Sequence, residues 1–380
     1  MLDRGKMSPK TRCAGLVATI ILVTKVTPLN AFCTTCDWLP PVSAGIATSF
    51  DNDYHEPING VMLHFRVRGV DKANPYLLIL HGGLGGAAAL GFYPWGTSLE
   101  HELNVVYLDQ RGCGGSTRLQ LSDLKHPKPS EIEQYTMENL VRDAEGVRKF
   151  LRLDKWYVLG HSFGGMLALE YVVENAAHVS GYIDMNGLLS VPLFVETVLN
   201  TSESMFLRQA KSGDESQRTL AEKQLGAIRK IRALPMGVER ALQTAYLASS
   251  IDELGVGNAP ALMTYGQQIE QEAKRYNISA AGQYAPETTP AFAYNPRNHF
   301  ASRDDHALLG RVTVPTLIIC GKQDQLITPA TAEIVHSGIK GSELLLLDNC
   351  GHAPYAEQPA ATTSAVLAFV RRCSRAAKSR

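Results

Sequence analysis

The feature that most narrows what this chain can fold into is a rhythm: short apolar runs of strand length alternate with stretches whose apolar residues recur at helical spacing. "YLLIL" (76–80) and "NVVYLD" (104–109) are continuous rather than alternating, so strands made from them must be covered on both faces, as in a parallel sheet. "VMLHFRVRG" (61–69) alternates, as a half-exposed strand does. Between 137 and 152, Leu140, Val141, Ala144, Val147 and Leu151 fall on one helical face. "WYVLG" (156–160), "GGMLALEYVV" (164–173) and "GYIDMNG" (181–187) then read as strand, helix and strand. Repeated β–α–β units with right-handed crossovers predict an α/β architecture with a doubly wound, mostly parallel sheet.

After Gly187 the rhythm stops. From 188 to 310 the helical stretches, 217–232 and 265–276 among them, are rich in Glu, Gln, Arg and Ala, with no buried-strand run. Strands resume at "VPTLIIC" (314–320) and "SELLLLD" (342–348), followed by a last helix over about 360–373. The expected organisation is a core over 32–187, a helical lid inserted over 188–310, and the rest of the core over 311–380.

"GHSFG" (160–164) sits at a strand-to-helix junction. There it has a mechanical meaning: the turn is so tight that the serine's neighbours must lack bulk, and Ser162 Oγ projects above the carboxyl edge of the sheet at a helix N-terminus. A serine hydroxyl is a poor nucleophile until a base takes its proton, and the base needs an orienting carboxylate. Asp324 lies just past the strand at 314–320 and His352 just past the strand at 342–348, so loops at one sheet edge present all three. Asp304 or Asp305 would replace Asp324 if the strand count differed. For the oxyanion, "LHGGLGG" (80–86) offers the N–H of Gly83 or Leu84, together with that of Phe163.

Together these motifs resemble the α/β-hydrolase fold. "DQRGCGGS" (109–116) after "HGGLGG" resembles the proline iminopeptidase branch, whose members carry HGGPG and DQRGxGxS. The resemblance implies a serine hydrolase working through an acyl-enzyme, without metal or organic cofactor, on short peptides or amino-acid amides. It also implies structural roles for Asp109 to Ser116, with Arg111 in internal polar contacts, and for Glu357. Two departures bear on substrate. The proline of HGGPG is Leu84 here, and the branch's Asn-Glu-Phe near the lid's end is Asn298-His299-Phe300, which lacks the carboxylate that would pair with a substrate ammonium. Leu84, Glu270 and His299 are therefore the candidate substrate contacts, with Glu272 as an alternative carboxylate. The rival readings are an esterase, lactonase or carbon–carbon hydrolase of a small metabolite, and, in a different class, a non-catalytic binding module.

Lys plus Arg and Asp plus Glu each number 37, which removes the electrostatic footprint of a nucleic-acid binder and leaves a small molecule or short peptide as partner. Arg4, Lys6, Lys10 and Arg12 precede "CAGLVATIILVT", which Lys25 ends short of the roughly 20 residues of a membrane span. Residues 1–31 thus read as a secretory signal, and the protein as exported. Cys33-x-x-Cys36 has no second pair at metal-ligand spacing, so no metal is assigned. Asn200-Thr-Ser and Asn277-Ile-Ser are glycosylation sequons.

Overall fold

The computed structural model describes residues 50–83, 85–251, 254–275 and 284–378. The signal-like segment, Cys33, Cys36, Leu84 and Asn277 lie outside them. Eight strands form one sheet in the order β1-β2-β4-β3-β5-β6-β7-β8. They are β1 (Phe50–Ile58), β2 (Val61–Gly69), β3 (Tyr76–Leu80), β4 (Asn104–Asp109), β5 (Trp156–His161), β6 (Val179–Met185), β7 (Thr316–Gly321) and β8 (Glu343–Leu347). The pairs β1–β2 and β2–β4 are antiparallel, and every later pair is parallel.

Continuity of the apolar runs follows from the layering. Leu78, Leu80, Val106 and Val158 enter one core, while Leu77, Ile79, Val105, Tyr107 and Leu159 enter the core on the other face. Successive strand residues point to opposite sides, so a sheet covered on both needs apolar residues at every position. Helix α1 (Met137–Phe150) starts where Thr136 Oγ1 accepts the N–H of Asn139 at 3.1 Å, and α2 (Phe163–Glu174) follows β5 directly.

Between β6 and β7 come α3 (Val191–Gln209), α4 (Glu215–Ala233), α5 (Val238–Ser250), α6 (Ala259–Arg275) and α7 (Thr288–Tyr294). The chain closes with α8 (Pro329–Gly338) and α9 (Pro359–Lys378). The sequence pattern does not reveal β1, and its burial explains this. Along "FDNDYHEPI" exposed positions alternate with half-buried ones, but Asn52 and Glu56 interrupt the inward residues Phe50, Tyr54 and Ile58 that pack on the core, so the apolar alternation is broken. Its hairpin turns at Asn59 (φ 49°) and Gly60 (φ 79°), the paired left-handed residues of a two-residue Asn-Gly turn. Among the described residues no helix is long and apolar enough to cross a membrane.

Candidate active site

Strands β3, β5, β7 and β8 run parallel, so their carboxyl ends meet at one edge, and the loops there line a cavity of about 250 Å³. Ser162 follows β5 at φ 54°, ψ −122°, a conformation non-glycine residues rarely adopt and one that stores strain. Its surroundings hold it there: its N–H donates to Met185 O at 3.2 Å, and its carbonyl accepts from Gly165 at 2.9 Å and Leu188 at 2.8 Å. The glycines of the motif answer to space. A Cβ on Gly160 would lie 2.2 Å from Gly164 O, and one on Gly164 would lie 2.1 Å from Leu80 O.

Asp324 and His352 form a buried pair, with Oδ2 accepting from Nδ1 at 2.7 Å. The carboxylate is fully engaged. Oδ1 accepts the N–H groups of Leu326 (2.8 Å) and Ile327 (3.2 Å), and Asn186 Nδ2 donates to Oδ2. Burial by itself would depress the His352 pKa, but the charge and hydrogen bond of Asp324, with a contribution from Glu357, outweigh it and raise it above the ordinary value. Ser162 and His352 both line the cavity; no hydrogen bond joins the hydroxyl to the imidazole, a link that in free enzymes often tightens only around substrate. Asp304 pairs with His306 and Asp305 with Arg303, so neither substitutes for Asp324.

Two further buried histidines frame the site, each with its tautomer set by a neighbour. Gln110 donates its N–H to His81 Nε2 at 3.2 Å, which leaves the His81 proton on Nδ1 beside Gly82 O. His161 Nε2 donates to the His352 carbonyl at 2.7 Å, and burial first, then the His352 charge, push its pKa down to about 3. It is therefore a neutral brace. A Cβ on Gly82 would sit 2.7 Å from both His161 Nδ1 and Ser162 Cβ, so only glycine lets this loop pass so near Ser162. Gly83 (φ 56°) and Phe163 line the cavity beside Ser162, where their N–H groups are within the loop and helix start expected to hold an oxyanion.

The insertion is tied to the loops that carry Asp324 and His352. Gln325 N–H donates to Leu254 O at 2.8 Å, and His352 N–H to Gly255 O at 2.7 Å. The buried Glu357 carboxylate accepts from Gly257 (2.7 Å) and Asn258 (2.6 Å) of the insertion, and from Gly351 (3.0 Å) and Ala353 (3.1 Å) beside the histidine. Arg111 forms a two-pronged pair with buried Asp143, both bonds 2.6 Å, and donates to the Gln134 and Asn59 carbonyls.

Of the candidate substrate contacts, Glu270 lines the cavity, among walls supplied chiefly by Phe92, Phe194, Phe300, Ile269 and Leu326. His299 requires correction. It is exposed, at φ 49°, and does not line the cavity. Its neighbour Asn298 is the cause: that buried amide accepts from Met137 N–H (2.9 Å) and donates to the Tyr135 (3.0 Å) and Phe292 (2.9 Å) carbonyls, which turns the next residue outward. Glu272 also stays out of the lining and lies 3.9 Å from Arg275. Sequence reasoning passed over Asn186, His161 and the 254–258 segment; the "NG" at 186–187 signals a turn but not a carboxylate partner.

The sheet order, the insertion and the strained elbow define a hydrolase of the α/β class. The chain belongs to the alpha/beta hydrolase fold family, whose description matches residues 75–359. It is 28% identical over 309 residues to the proline iminopeptidase of Thermoplasma volcanium, covering 79% of this chain and 90% of that one. With the proline iminopeptidase of Saccharolobus solfataricus it shares 25% over 307 residues, 78% and 85% of the two chains. The crystal structure of proline iminopeptidase from Mycobacterium smegmatis superposes with a TM-score of 0.61 at 20% identity, over 86% of this chain and all of that one.

Proposed function

We propose that this hydrolase is a serine enzyme of the proline iminopeptidase kind, removing an N-terminal residue from short peptides or amino-acid amides through an acyl-enzyme. The observation that carries this reading is the buried Asp324–His352 pair opening on the same cavity as the strained Ser162. His352 takes the Ser162 proton as Oγ attacks the carbonyl carbon; Asp324 keeps the proton-bearing Nδ1 turned inward and stabilises the imidazolium. The N–H groups of Gly83 and Phe163 hold the tetrahedral oxyanion, His352 protonates the leaving amine, and water repeats the cycle to free the acyl group. Glu270, the carboxylate of the cavity lining among the described residues, is the counter-charge for a free α-amino group. The largely apolar wall favours a second reading, an esterase or lactonase acting on an uncharged acyl group.

The test is a comparison of proline and alanine arylamides with aryl esters, alongside fluorophosphonate labelling. The expected outcome is labelling abolished in Ser162→Ala, turnover falling by roughly 10⁴-fold or more, and KM for free-amine arylamides rising in Glu270→Gln. Turnover of esters alone, with N-acylated and free-amine substrates treated alike, overturns the peptidase reading; labelling that survives in Ser162→Ala overturns the mechanism.

A further inference from the structure

Away from the cavity, a second group of chemistry-bearing side chains stands on the β1–β2 hairpin with no part in the reaction. The antiparallel register sets His55 directly opposite His64, and Asp53, two residues back along β1, shares their face. The two imidazole rings lie 4.6 Å apart, and one ligand atom from each of Asp53, His55 and His64 lies within 4.8 Å of the others. We propose that Asp53, His55 and His64 bind one divalent transition-metal ion of the kind that takes mixed imidazole and carboxylate ligands, Zn²⁺ or Cu²⁺, with water completing its shell.

Three observations carry the site. The donors are of the right type and converge from two strands whose spacing the sheet fixes, so little has to be ordered when an ion arrives. His64 also has the support that metal-binding imidazoles have: Nδ1 bonds to the buried Asp109 Oδ2 at 2.7 Å, leaving Nε2 for an ion. Asp109 is itself held by the N–H groups of Gly115 (2.9 Å) and Ala89 (3.1 Å). Finally, Asp53 Oδ1 lies 2.6 Å from His64 Nε2, so a proton now occupies the place between the two ligands. The ion replaces that proton, which leaves to solvent, and the two atoms separate to about the 3 Å that ligands of one tetrahedral ion keep. Asp53 and His55 are exposed, so the ion enters directly from water. Arg66, across from Asp53, directs its guanidinium at both oxygens of Asp51.

Sequence spacing could not reveal this site, because residues 55 and 64 meet only through the hairpin register. An ion that bridges β1 to β2 binds the folded chain alone and raises its melting temperature by mass action.

The test uses the full chain without an affinity tag and with Cys33→Ser and Cys36→Ser, so that the Cys-x-x-Cys pair does not compete. Zn²⁺ is titrated by calorimetry and Cu²⁺ is followed by electron paramagnetic resonance. The expected result is one ion per chain at micromolar concentration, nitrogen couplings from two imidazoles, and a melting temperature that rises with Zn²⁺. His55→Ala and Asp53→Asn each weaken binding at least tenfold and remove the Zn²⁺ effect on melting; their circular dichroism matches the parent. No ion bound at millimolar Zn²⁺, or binding unchanged in both variants, overturns the proposal.

Discussion

Among the described residues, two histidines set Nδ1 against a buried aspartate: His352 with Asp324 at the cavity, and His64 with Asp109 at the edge hairpin. In both, a carboxylate almost wholly withdrawn from solvent accepts from Nδ1 at 2.7 Å. The far nitrogen makes the difference. His64 Nε2 meets a second carboxylate, Asp53, and although burial opposes the charge, Asp109 and then Asp53 raise its pKa to about 9. It is an imidazolium at neutral pH and cannot serve as a base. His352 has no second carboxylate on its ring, and it opens on a cavity shared with Ser162. A histidine–aspartate pair therefore does not by itself mark the proposed base; what sets His352 apart is that its ring carries one carboxylate and opens on the cavity that Ser162 also lines.

Breaking the cavity pair is expected to give the largest effect. Asp324→Asn should lower kcat by about 10⁴-fold through loss of the tautomer lock. Because Asp324 raises the His352 pKa, the variant's remaining activity should persist to lower pH than the parent's, which a profile of kcat/KM against pH reads directly. An unchanged acid limb would mean that His352 is not the base.

Glu357→Gln comes next. It removes a charged acceptor from backbone donors on both the insertion and the His352 loop, with an expected stability loss of about 1–3 kcal/mol and a drop in kcat with KM little changed. Urea unfolding and steady-state kinetics measure the two separately. The smallest effect on catalysis belongs to His64→Gln, with kcat at pH 7 close to the parent's. Its effect is on stability. A pKa raised from 6.5 to about 9 contributes stabilisation that is whole below pH 6.5 and is lost as pH rises through about 9, on the order of 3 kcal/mol at most for this partly buried ring. The parent should weaken across that window and the variant should not; parallel stability curves would dissolve the distinction between the two pairs.

Much of the core was legible because its signals are local. Continuous apolar runs predict buried parallel strands, and the two glycines around Ser162 predict the tight elbow whose close contacts the structure shows. The insertion was harder to read. His299 looked like a substrate contact by its place in a triplet, yet its direction is set by the hydrogen bonds of Asn298 to residues 135, 137 and 292. The strand β1 gives a weak signal because Asn52 and Glu56 interrupt the apolar residues of its inward face.

The sequence by itself determined the strand and helix rhythm, the elbow at Ser162 and the order in which serine, aspartate and histidine leave their strands, since each depends on neighbours within a few residues. Tertiary structure decided which nitrogen of each histidine is occupied, which carboxylate enters the cavity, and that Glu357 joins the insertion to the histidine loop. Those outcomes depend on the packing of segments that local pattern does not pair, 11 residues apart for Asp53 and His64, 28 for Asp324 and His352 and 100 for Gly257 and Glu357, where burial and unpaired backbone donors select the partner.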